Sequence, residues 1–241
     1  MIKDTIAAIS TALGQSAINI VRMSGDDAVS IANSVFKGKD LSIVESHKVV
    51  YGHIVEEDTV LDEVLLTIFK APKSFTTEDI VEINCHGGTY VARKILSLLL
   101  SKGARLANNG EFTERAFLNG RIDLTQAESV MDIIEAQSEM SLTLANKGLD
   151  GAIYELVVSL RDQLLNLIAH IEVNIDYPEY DDVVTLSTEL IAPEVSALVG
   201  RINHILEKSE YGKIIRDGLK TAIIGRPNVG KSSLLNALLK E

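Results

Sequence analysis

Apolar and polar positions follow two different periods within residues 1–120, one typical of strands and one typical of helices. Five short runs rich in β-branched residues predict strands. These runs are Ile6–Ile9, Ala17–Arg22, Val49–Val55, Val64–Phe69 and Ile80–Asn84. Two longer runs with helical spacing predict helices at Asp26–Val35 and Thr89–Lys102. The pattern therefore indicates an α+β domain over residues 1–120.

From residue 121 to residue 217 the apolar positions instead recur every three or four residues, as in amphipathic helices. They form three stripes, which are Val130, Ile133, Ile134 and Met140; Ile153, Leu156, Val157, Leu160, Leu164, Leu167, Ile168 and Ile171; and Val195, Leu198, Val199, Ile202, Ile205 and Leu206. Residues 176–182 are acidic and contain Pro178, which predicts a turn between two helices. Tyr211-Gly212 is predicted to end the last helix. Residues 121–217 are therefore predicted to form an α-helical domain.

A glycine-containing loop with a specific spacing lies close to the last residue of the chain. Residues 225–232 read GRPNVGKS, which matches the G-x-x-x-x-G-K-[ST] pattern of a phosphate-binding P-loop. The apolar run Leu219–Ile224 predicts the strand that should precede such a loop, and Ser233–Leu239 predicts the helix that should follow it. With both flanks present, a P-loop is favoured over a chance glycine loop.

The chemistry of a P-loop assigns a role to each part of this segment. Backbone N–H groups turn inward on the phosphates, and the helix N-terminus adds its dipole. Lys231 would reach the outer phosphates, and the Ser232 hydroxyl would hold Mg²⁺. The predicted nucleotide-binding residues are Asn228, Val229, Gly230, Lys231, Ser232 and Ser233.

Other motifs that a complete GTP-binding (G) domain needs do not follow this loop. Residues 218–241 contain no Asp-x-x-Gly to read the γ-phosphate and no Asn-Lys-x-Asp to read guanine. Residues 146–150, with sequence NKGLD, have one residue too many between Lys and Asp and fall in a helical pattern. Because the loop resembles those of known GTPases, we expect residues 218–241 to be the first strand, P-loop and helix start of a truncated α/β G domain. The choice of GTP over ATP rests on this resemblance and not on a base-reading motif.

Composition limits the class and the location of the protein. Cys85 is the single cysteine, which excludes an internal disulfide and fits a reducing compartment. No apolar stretch approaches the roughly 20 residues of a membrane span, and the N-terminus does not resemble a signal peptide. We therefore expect a cytoplasmic protein without a membrane contact.

Acidic residues are concentrated in the predicted helical domain. The net charge of −11 combines 12 Lys and Arg against 15 Asp and Glu in residues 1–120 with 7 against 18 in residues 121–217 and 4 against 1 in residues 218–241. The helical part is therefore a poor binder of phosphate backbones by charge alone. A contact with nucleic acid would be local, or a partner would make it.

Three segments of the first 124 residues carry a resemblance to a known family. They are residues 18–25 (INIVRMSG), residues 74–82 (SFTTEDIVE) running on to His86-Gly87-Gly88, and residues 110–124 (GEFTERAFLNGRIDL). Followed by a helical segment and a P-loop, they resemble the tRNA-modification GTPases of the MnmE/TrmE family. The loop GRPNVGKSSLLN by itself also resembles those of the translation-factor-like and Era-like GTPases.

The resemblance implies a fold, a reaction and several partners. It implies an N-terminal domain similar to the tetrahydrofolate-binding part of aminomethyltransferases, which forms a homodimer and binds 5-formyl-tetrahydrofolate or a related folate. It implies a helical domain into which the G domain is inserted. With an FAD-dependent partner, such proteins build an aminomethyl or carboxymethylaminomethyl group on C5 of the wobble uridine of tRNA. GTP hydrolysis with Mg²⁺ and K⁺ drives their conformational change.

Site residues follow from the same resemblance, position by position. The folate-contacting positions are Arg22, Glu82 and Arg121, of which Arg121 replaces a lysine of some members. A carboxylate can accept from the N–H edge of a pterin, and arginine binds the carboxylates of a folate tail. The alternatives are an exposed strand carboxylate at Glu82 and surface ion pairs at both arginines. The position of Asn228 implies a K⁺ ligand, against the alternative of a turn residue.

Two nearby residues and two other functions stay open at this point. His86-Gly87-Gly88 is interpreted as a tight turn rather than a catalytic site, and Cys85 as a small buried residue rather than a reactive thiol. A non-catalytic folate-binding and dimerisation module is one alternative to the tRNA-modifying GTPase, and an unrelated P-loop NTPase is another. The family resemblance implies further helices that would pack on the stripes of residues 121–217 and a sheet that would cover the leucines after the P-loop, so we expect both to be partly exposed in this chain.

Overall fold

The computed structural model describes residues 4–12, 14–176 and 188–239. The contacts between residues divide the chain into two compact units, Met1–Ala127 (unit 1) and Glu128–Glu241 (unit 2). Unit 1 is a sheet with helices, and unit 2 consists of helices and a loop. An α+β domain followed by a helical domain is therefore confirmed.

The described part of unit 1 contains one seven-stranded sheet. Its strands are β1 (Ile6–Ile9), β2 (Ile18–Ser24), β3 (Phe36–Lys37), β4 (Lys48–Glu56), β5 (Thr59–Phe69), β6 (Ile80–His86) and β7 (Arg105–Leu106). They lie in the order β3-β4-β5-β6-β2-β1-β7. Only the pair of β1 and β7 is parallel, and the other pairs of neighbours are antiparallel.

The core of unit 1 lies on one face of this sheet. Helices α1 (Ala28–Val35) and α2 (Thr89–Ser101) contact the sheet and cover that face. Because side chains alternate along a strand, every second residue of β2, β5 and β6 points to the helices. The register aligns these residues into two rows, Val21–Ile83–Leu66 and Met23–Val81–Ile68, all of them fully buried. Burial of each such side chain contributes roughly 1.5–3 kcal/mol to folding.

The opposite face of the sheet, called here the outer face, carries polar side chains in its central strands. Arg22 pairs with Glu82 in the register of β2 and β6, and Glu82 pairs with Thr67 of β5. These three residues are half-buried. Phe69, two residues after Thr67 on β5, lies on the same face.

A buried ionic cluster joins the third helix, α3 (Glu111–Leu118), to the rest of unit 1. The Arg115 guanidinium is 4% exposed and donates to Asp4 Oδ1 at 2.6 Å and to Glu111 Oε1 at 3.2 Å. It also donates to both oxygens of Glu78, at 3.2 and 3.3 Å. Arg105 pairs with the same Asp4 and Glu111. The cluster thus connects the start of β1, the loop before β6 and α3.

Unit 2 is built from long helices. Helix α4 (Leu124–Glu135) runs across the division between the units, and α5 (Glu139–Leu149), α6 (Ala152–Asp176), α7 (Thr188–Asp217) and α8 (Lys231–Leu239) follow. Helix α5 begins with a capping box in which the side chains of Ser138 and Ser141 each accept from the backbone N–H of the other. At Gly148 of α5 a Cβ would lie 2.2 Å from Ser129 Oγ, so the glycine permits a close helix contact.

The predicted strand at Leu219–Ile224 is wrong. These residues are irregular in the structure, and Leu219 and Ile224 are 75% and 93% exposed. A strand is held by hydrogen bonds to a neighbouring strand, and the described part of unit 2 contains no other strand to pair with. An apolar run alone does not form a strand, because the inter-strand hydrogen bonds need a neighbouring strand.

Two helix boundaries in unit 2 also differ from expectation. Gly212 does not end the last helix, because α7 continues to Asp217 and ends before Gly218. Gly218 has a φ of 70°, a left-handed conformation that glycine adopts without a Cβ clash, and its N–H donates to Ile214 O at 2.9 Å. The stripe from Val130 to Met140 is divided between α4 and α5, since Ser138 caps a new helix.

The remaining predicted elements of residues 1–120 are confirmed, with ends shifted by a few residues in most of them. Four short elements were missed, namely β3, β7, α3 and a single-turn 3-10 helix at Leu41–Ile43. The two strands have only two residues each, and eight residues of α3 give too few turns for a clear periodicity. The acidic turn predicted at residues 176–182 lies, beyond Asp176, outside the described residues.

Candidate functional site

The register of two central strands brings Arg22 and Glu82 together on the outer face. Arg22 Nε donates to Glu82 Oε1 at 2.8 Å, and its Nη2 lies 2.7 Å from the same oxygen. The two side chains are 29% and 19% exposed. The guanidinium also lies 5.6 Å from the centre of the Phe112 ring, in a cation–π contact. The pair is therefore fixed in place and still reachable from solvent.

Only one oxygen of Glu82 is used in this pair. Both contacts with Arg22 fall on Oε1. In the part of the chain that the structure describes, Oε2 of Glu82 has no hydrogen-bond donor. A carboxylate with one occupied and one open oxygen can accept an N–H group from a ligand.

Arg121, the third predicted position, does not touch this pair and lies beside a cavity. Its Nη1 donates to Phe75 O at 2.9 Å, and its guanidinium lies 5.0 Å from the centre of the Phe75 ring. The adjoining cavity has a volume of about 490 Å³. Its lining includes His47, Phe69, Lys73, Phe75, Asn119 and Arg121. The three predicted folate-contacting residues thus lie in two separate places. Of the three, only Arg22 and Glu82 contact each other.

A loop held by buried polar groups forms one wall of the cavity. Thr76 is fully buried, and its hydroxyl lies 2.6 Å from the hydroxyl of Ser24. Ser24 Oγ donates to Glu78 Oε2 at 2.7 Å, and Glu78 is in turn held by Arg115. Asn119 Nδ2 donates to Thr76 O at 2.7 Å. This loop, residues 74–79, is therefore positioned by the same ionic cluster that anchors α3.

Three residues that line this cavity were not predicted from the sequence, namely His47, Lys73 and Asn119. Lys73 immediately precedes the motif at residues 74–82, and Asn119 lies within the motif at residues 110–124, so their positions were available as a signal. His47 comes from the turn before β4, and no local pattern connects it to the other two. Only the folded chain brings the three segments to one cavity.

His86 and Cys85 have structural surroundings. His86 N donates to Asp62 Oδ2, and His86 Nδ1 lies 2.7 Å from Asp62 Oδ1. This hydrogen bond and the charge of Asp62 raise the pKa of His86 above its usual value. Burial raises the pKa of the Cys85 thiol to about 11, so it stays protonated at neutral pH. These contacts support the interpretation of a strand-end turn and a core cysteine.

The P-loop segment adopts a compact turn before a helix. Asn228 and Gly230 have positive φ values of 60° and 91°, and α8 begins at Lys231. Lys231 Nζ donates to Gly225 O at 3.0 Å and to Arg226 O at 2.8 Å, so the ammonium lies over the loop. Backbone N–H groups in the first turn of a helix lack partners within the helix and can bind anions. Leu234, Leu235, Leu238 and Leu239 of α8 are exposed, as expected.

Two classes of feature are missing from the described residues. No three His, Cys, Asp or Glu side chains within residues 4–12, 14–176 and 188–239 lie close enough to hold a metal ion. No helix of that part of the chain combines the length and the apolar composition that a bilayer span needs.

Comparison with known families matches both parts of the chain. Residues 5–121 match the family model described as the GTP-binding protein TrmE N-terminus, and residues 124–237 match the MnmE helical domain. An α+β domain with a following helical domain and P-loop thus belongs to a class of multidomain GTPases. Within that class, the chain belongs to the MnmE/TrmE family of tRNA modification GTPases.

Three similar bacterial proteins are longer than this chain. The tRNA modification GTPase MnmE of Streptococcus thermophilus (strain CNRZ 1066) is 57% identical over 238 residues, which are 99% of this chain and 52% of that protein. The protein of the same name from Lactococcus lactis subsp. cremoris (strain MG1363) is also 57% identical, and that of Bacillus cytotoxicus is 56% identical over 240 residues, with the same coverage. The chain thus spans about half the length of the curated relatives it matches.

Proposed function

We propose that this chain provides the folate-binding, helical and phosphate-binding parts of a GTPase that modifies C5 of the wobble uridine of tRNA. The observation that carries the proposal is the Arg22–Glu82 pair on the outer face, in a chain that belongs to a tRNA modification GTPase family. The pair offers a fixed carboxylate and a guanidinium to one ligand. In the proposed reaction an FAD-dependent partner shares the work of installing an aminomethyl or carboxymethylaminomethyl group.

The folate would use the open oxygen of Glu82. Neighbouring N–H groups on the edge of a pterin are donors that a carboxylate can accept. Arg22 orients the carboxylate through its contacts to Oε1. Phe112 beside Arg22 offers an apolar wall to a flat ring. The proposed ligand is 5-formyl-tetrahydrofolate or a related folate.

The P-loop would bind GTP through the start of α8. The loop fits a phosphate group because Gly230 takes a left-handed turn and the first N–H groups of the helix face the loop. Lys231 would exchange the two loop carbonyls for phosphate oxygens, and Ser232 would offer its hydroxyl to Mg²⁺. Asn228, which lies within the loop, would serve as a ligand of K⁺. A complete hydrolytic site needs switch and guanine-reading motifs, so hydrolysis is assigned to the whole protein.

The proposed partners follow from the family and from the charge distribution. We propose a homodimer, an FAD-dependent partner protein and tRNA as the substrate, in the cytoplasm. Because the predicted helical domain is strongly acidic, tRNA would contact a local basic surface or the partner protein.

Calorimetric titration of 5-formyl-tetrahydrofolate into the chain tests the folate part. Arg22→Ala and Glu82→Ala should each weaken binding at least about tenfold, since each removes a charged hydrogen-bonding partner. Arg93→Ala, at an exposed position of α2, is the matched control for a lost arginine and should bind as the parent chain does. Equal binding by all four proteins would contradict the assignment of the site.

A second function, a folate-binding and dimerisation module without nucleotide chemistry, is favoured by one observation. The segment before the P-loop forms no strand, and α8 contains no buried residue. Fluorescent GTP-analogue titration separates the two candidates. Saturable binding that is lost in Lys231→Ala supports the GTPase, whereas a chain that binds folate and no guanine nucleotide supports the module.

A further inference from the structure

We propose that the edge of the sheet at β4 binds an unpaired stretch of RNA, with lysines on its phosphates and Tyr51 against one of its bases. The proposal rests on the tRNA substrate proposed above and names the local surface of this chain that would contact it. The surface, called here the lysine edge, consists of Lys39, Lys48, Lys70 and Tyr51. Its cavity shares no lining residue with the cavity beside Arg121.

A cavity of about 540 Å³ lies along this edge of the sheet. Strand β3 pairs only with His53 and Ile54 of β4, so residues 48–51 have no second strand beside them in the part of the chain that the structure describes. The cavity is lined by residues 48–51 and by residues 39 and 43–45, which precede β4. The open side of β4 therefore faces a space in the size range of small-ligand sites.

Three lysines converge on this edge from different segments. Lys39 and Lys48 line the same cavity. Lys48 pairs with Ile68 in the register of β4 and β5, and Lys70 follows Ile68 by two residues. The Lys70 ammonium donates to Ser42 O at 3.3 Å, which brings it to the loop between the other two lysines. A group of ammonium ions of this kind favours the phosphates of an RNA strand as ligands.

The nearby acidic residues do not cancel this charge. Glu45 is the one acidic residue among those that line the cavity. Asp40 is engaged by its own loop, because its Oδ1 accepts from Ser42 N at 3.0 Å and from Ser42 Oγ at 2.8 Å. The acidic residues of β4, β5 and their turn lie at the opposite end of the hairpin, between residues 56 and 63. The phosphate backbone can therefore approach this edge of an otherwise acidic chain.

Tyr51 supplies a ring on which a base can stack. It is 59% exposed, and its ring meets the ring of His53 edge-on with centres 5.8 Å apart. A hydrogen bond to Glu63 raises the pKa of the Tyr51 phenol, so the ring is uncharged at neutral pH. Val49, 61% exposed, lies two residues away on the same face of β4 and extends the apolar surface. Unpaired bases stack on such rings, whereas the bases of a duplex are already stacked, so the edge fits single-stranded RNA.

Fluorescence anisotropy of a labelled RNA hairpin, at low salt and with the whole chain, tests the lysine edge. The hairpin carries the loop of a tRNA anticodon arm, and a blunt RNA duplex with the same number of phosphates is the comparison. The parent chain should bind the hairpin at least about tenfold more tightly than the duplex, because only the hairpin offers unpaired bases.

The variants separate the phosphate contacts from the base contact. Lys39→Gln combined with Lys48→Gln should weaken hairpin binding and reduce the log–log slope of affinity against salt by about 0.7 for each lysine, since each phosphate contact releases counterions. Tyr51→Ala should weaken hairpin binding roughly fivefold or more with an unchanged salt slope. Tyr51→Phe keeps the ring and should bind as the parent chain does.

Lys102→Gln and Tyr90→Ala are the matched controls, because both residues are exposed and lie on α2 or at its end. Equal weakening by Lys102→Gln would reveal general electrostatic attraction and overturn the lysine edge, and equal affinity for hairpin and duplex would do the same. If Tyr51→Ala leaves RNA binding unchanged and alters the sedimentation of the chain, the edge is a contact between protein copies and the proposal is wrong.

Titration of 5-formyl-tetrahydrofolate into the same proteins distinguishes failure of the lysine edge from failure of the proposed function. Folate affinity should be the same in the parent chain and in every variant of the lysine edge. A parent chain that binds folate and no RNA would overturn the lysine edge alone. A parent chain that binds neither would overturn the proposed function and the lysine edge with it.

Discussion

The two units of the chain differ in how much apolar surface each of them buries. In unit 1 whole rows of strand residues, such as Val21–Ile83–Leu66, are fully enclosed under α1 and α2. In the described part of unit 2 only Ala145 and Leu198 are buried hydrophobic residues, and the 25-residue helix α6 contains none. The difference leaves the apolar faces of the unit 2 helices largely uncovered, although most helical stability in proteins comes from packing such a face.

The largest contrast should appear when a leucine is removed from each unit. Leu66→Ala in β5 should lower the free energy of unfolding of unit 1 by about 3 kcal/mol, because it leaves a cavity in a closed core. Leu165→Ala in α6, a residue that is 52% exposed, should cost less than about 0.5 kcal/mol. Urea unfolding, with hydrogen exchange of the sheet amides for unit 1 and of the α6 amides for unit 2, measures the two losses. Similar losses at the two positions would mean that α6 is packed more tightly than its exposure indicates.

Removal of a buried arginine from unit 1 should cost more stability than removal of an exposed arginine from unit 2. Arg115→Met should destabilise unit 1 by about 3 kcal/mol, because Asp4, Glu78 and Glu111 would lose the cation that compensates them in a buried place. The control Arg161→Met removes an arginine of α6 that is 64% exposed and should change stability by less than about 0.5 kcal/mol. The same unfolding measurement applies. An Arg115→Met protein as stable as its parent would show that the cluster only orients the loop.

A fall in pH should lower the stability of unit 1, because Glu111 becomes protonated. The hydrogen bond from Arg105 lowers the pKa of Glu111 from its usual 4.5 to about 2, against the opposing effect of burial. A carboxyl with a lower pKa in the folded state stabilises the fold above its unfolded pKa and loses that contribution as the pH falls towards the folded pKa. Stability should therefore decrease between about pH 4.5 and pH 2, by on the order of 2 kcal/mol after allowance for the partly exposed Arg105.

Unfolding of Glu111→Gln, measured over the same pH range, is the comparison for this effect. The variant should be less stable at neutral pH and should show a flatter decline in acid, since the titrating group is gone. An unchanged slope in the variant would assign the acid sensitivity to other carboxyl groups.

The smallest effect concerns the exposed apolar surface of unit 2. The chain should bind a dye that fluoresces on apolar surfaces, and Leu234→Gln with Leu238→Gln should reduce the signal with little change in stability, because both leucines are exposed. Leu66 is buried, so its substitution would change stability and cannot serve as the control. The control is Lys220→Gln, which changes an exposed polar side chain of unit 2. A monomeric, monodisperse chain without any dye signal would contradict the expectation that this surface favours association.

Much of the candidate site could be predicted from local sequence. Arg22 and Glu82 lie in motifs that also resemble strands, and the antiparallel register placed them opposite each other. The GRPNVGKS loop predicted a turn and a following helix, and the helix begins at Lys231, two residues before the predicted Ser233. The cavity could not be predicted, because His47, Lys73 and Arg121 come from three separate loops whose proximity depends on the order of strands in the sheet.

The amino-acid sequence by itself determined the periods of the strands and helices, the position of the P-loop and the family. These are local properties, set by which side chains alternate or recur within a few residues. Only the tertiary structure decided that Leu219–Ile224 is not a strand, that Arg115 lies in a buried ionic cluster, and that Lys73 and Arg121 line one cavity. Strand pairing, burial and charge compensation depend on residues far apart in the chain, so the folded arrangement has to supply them.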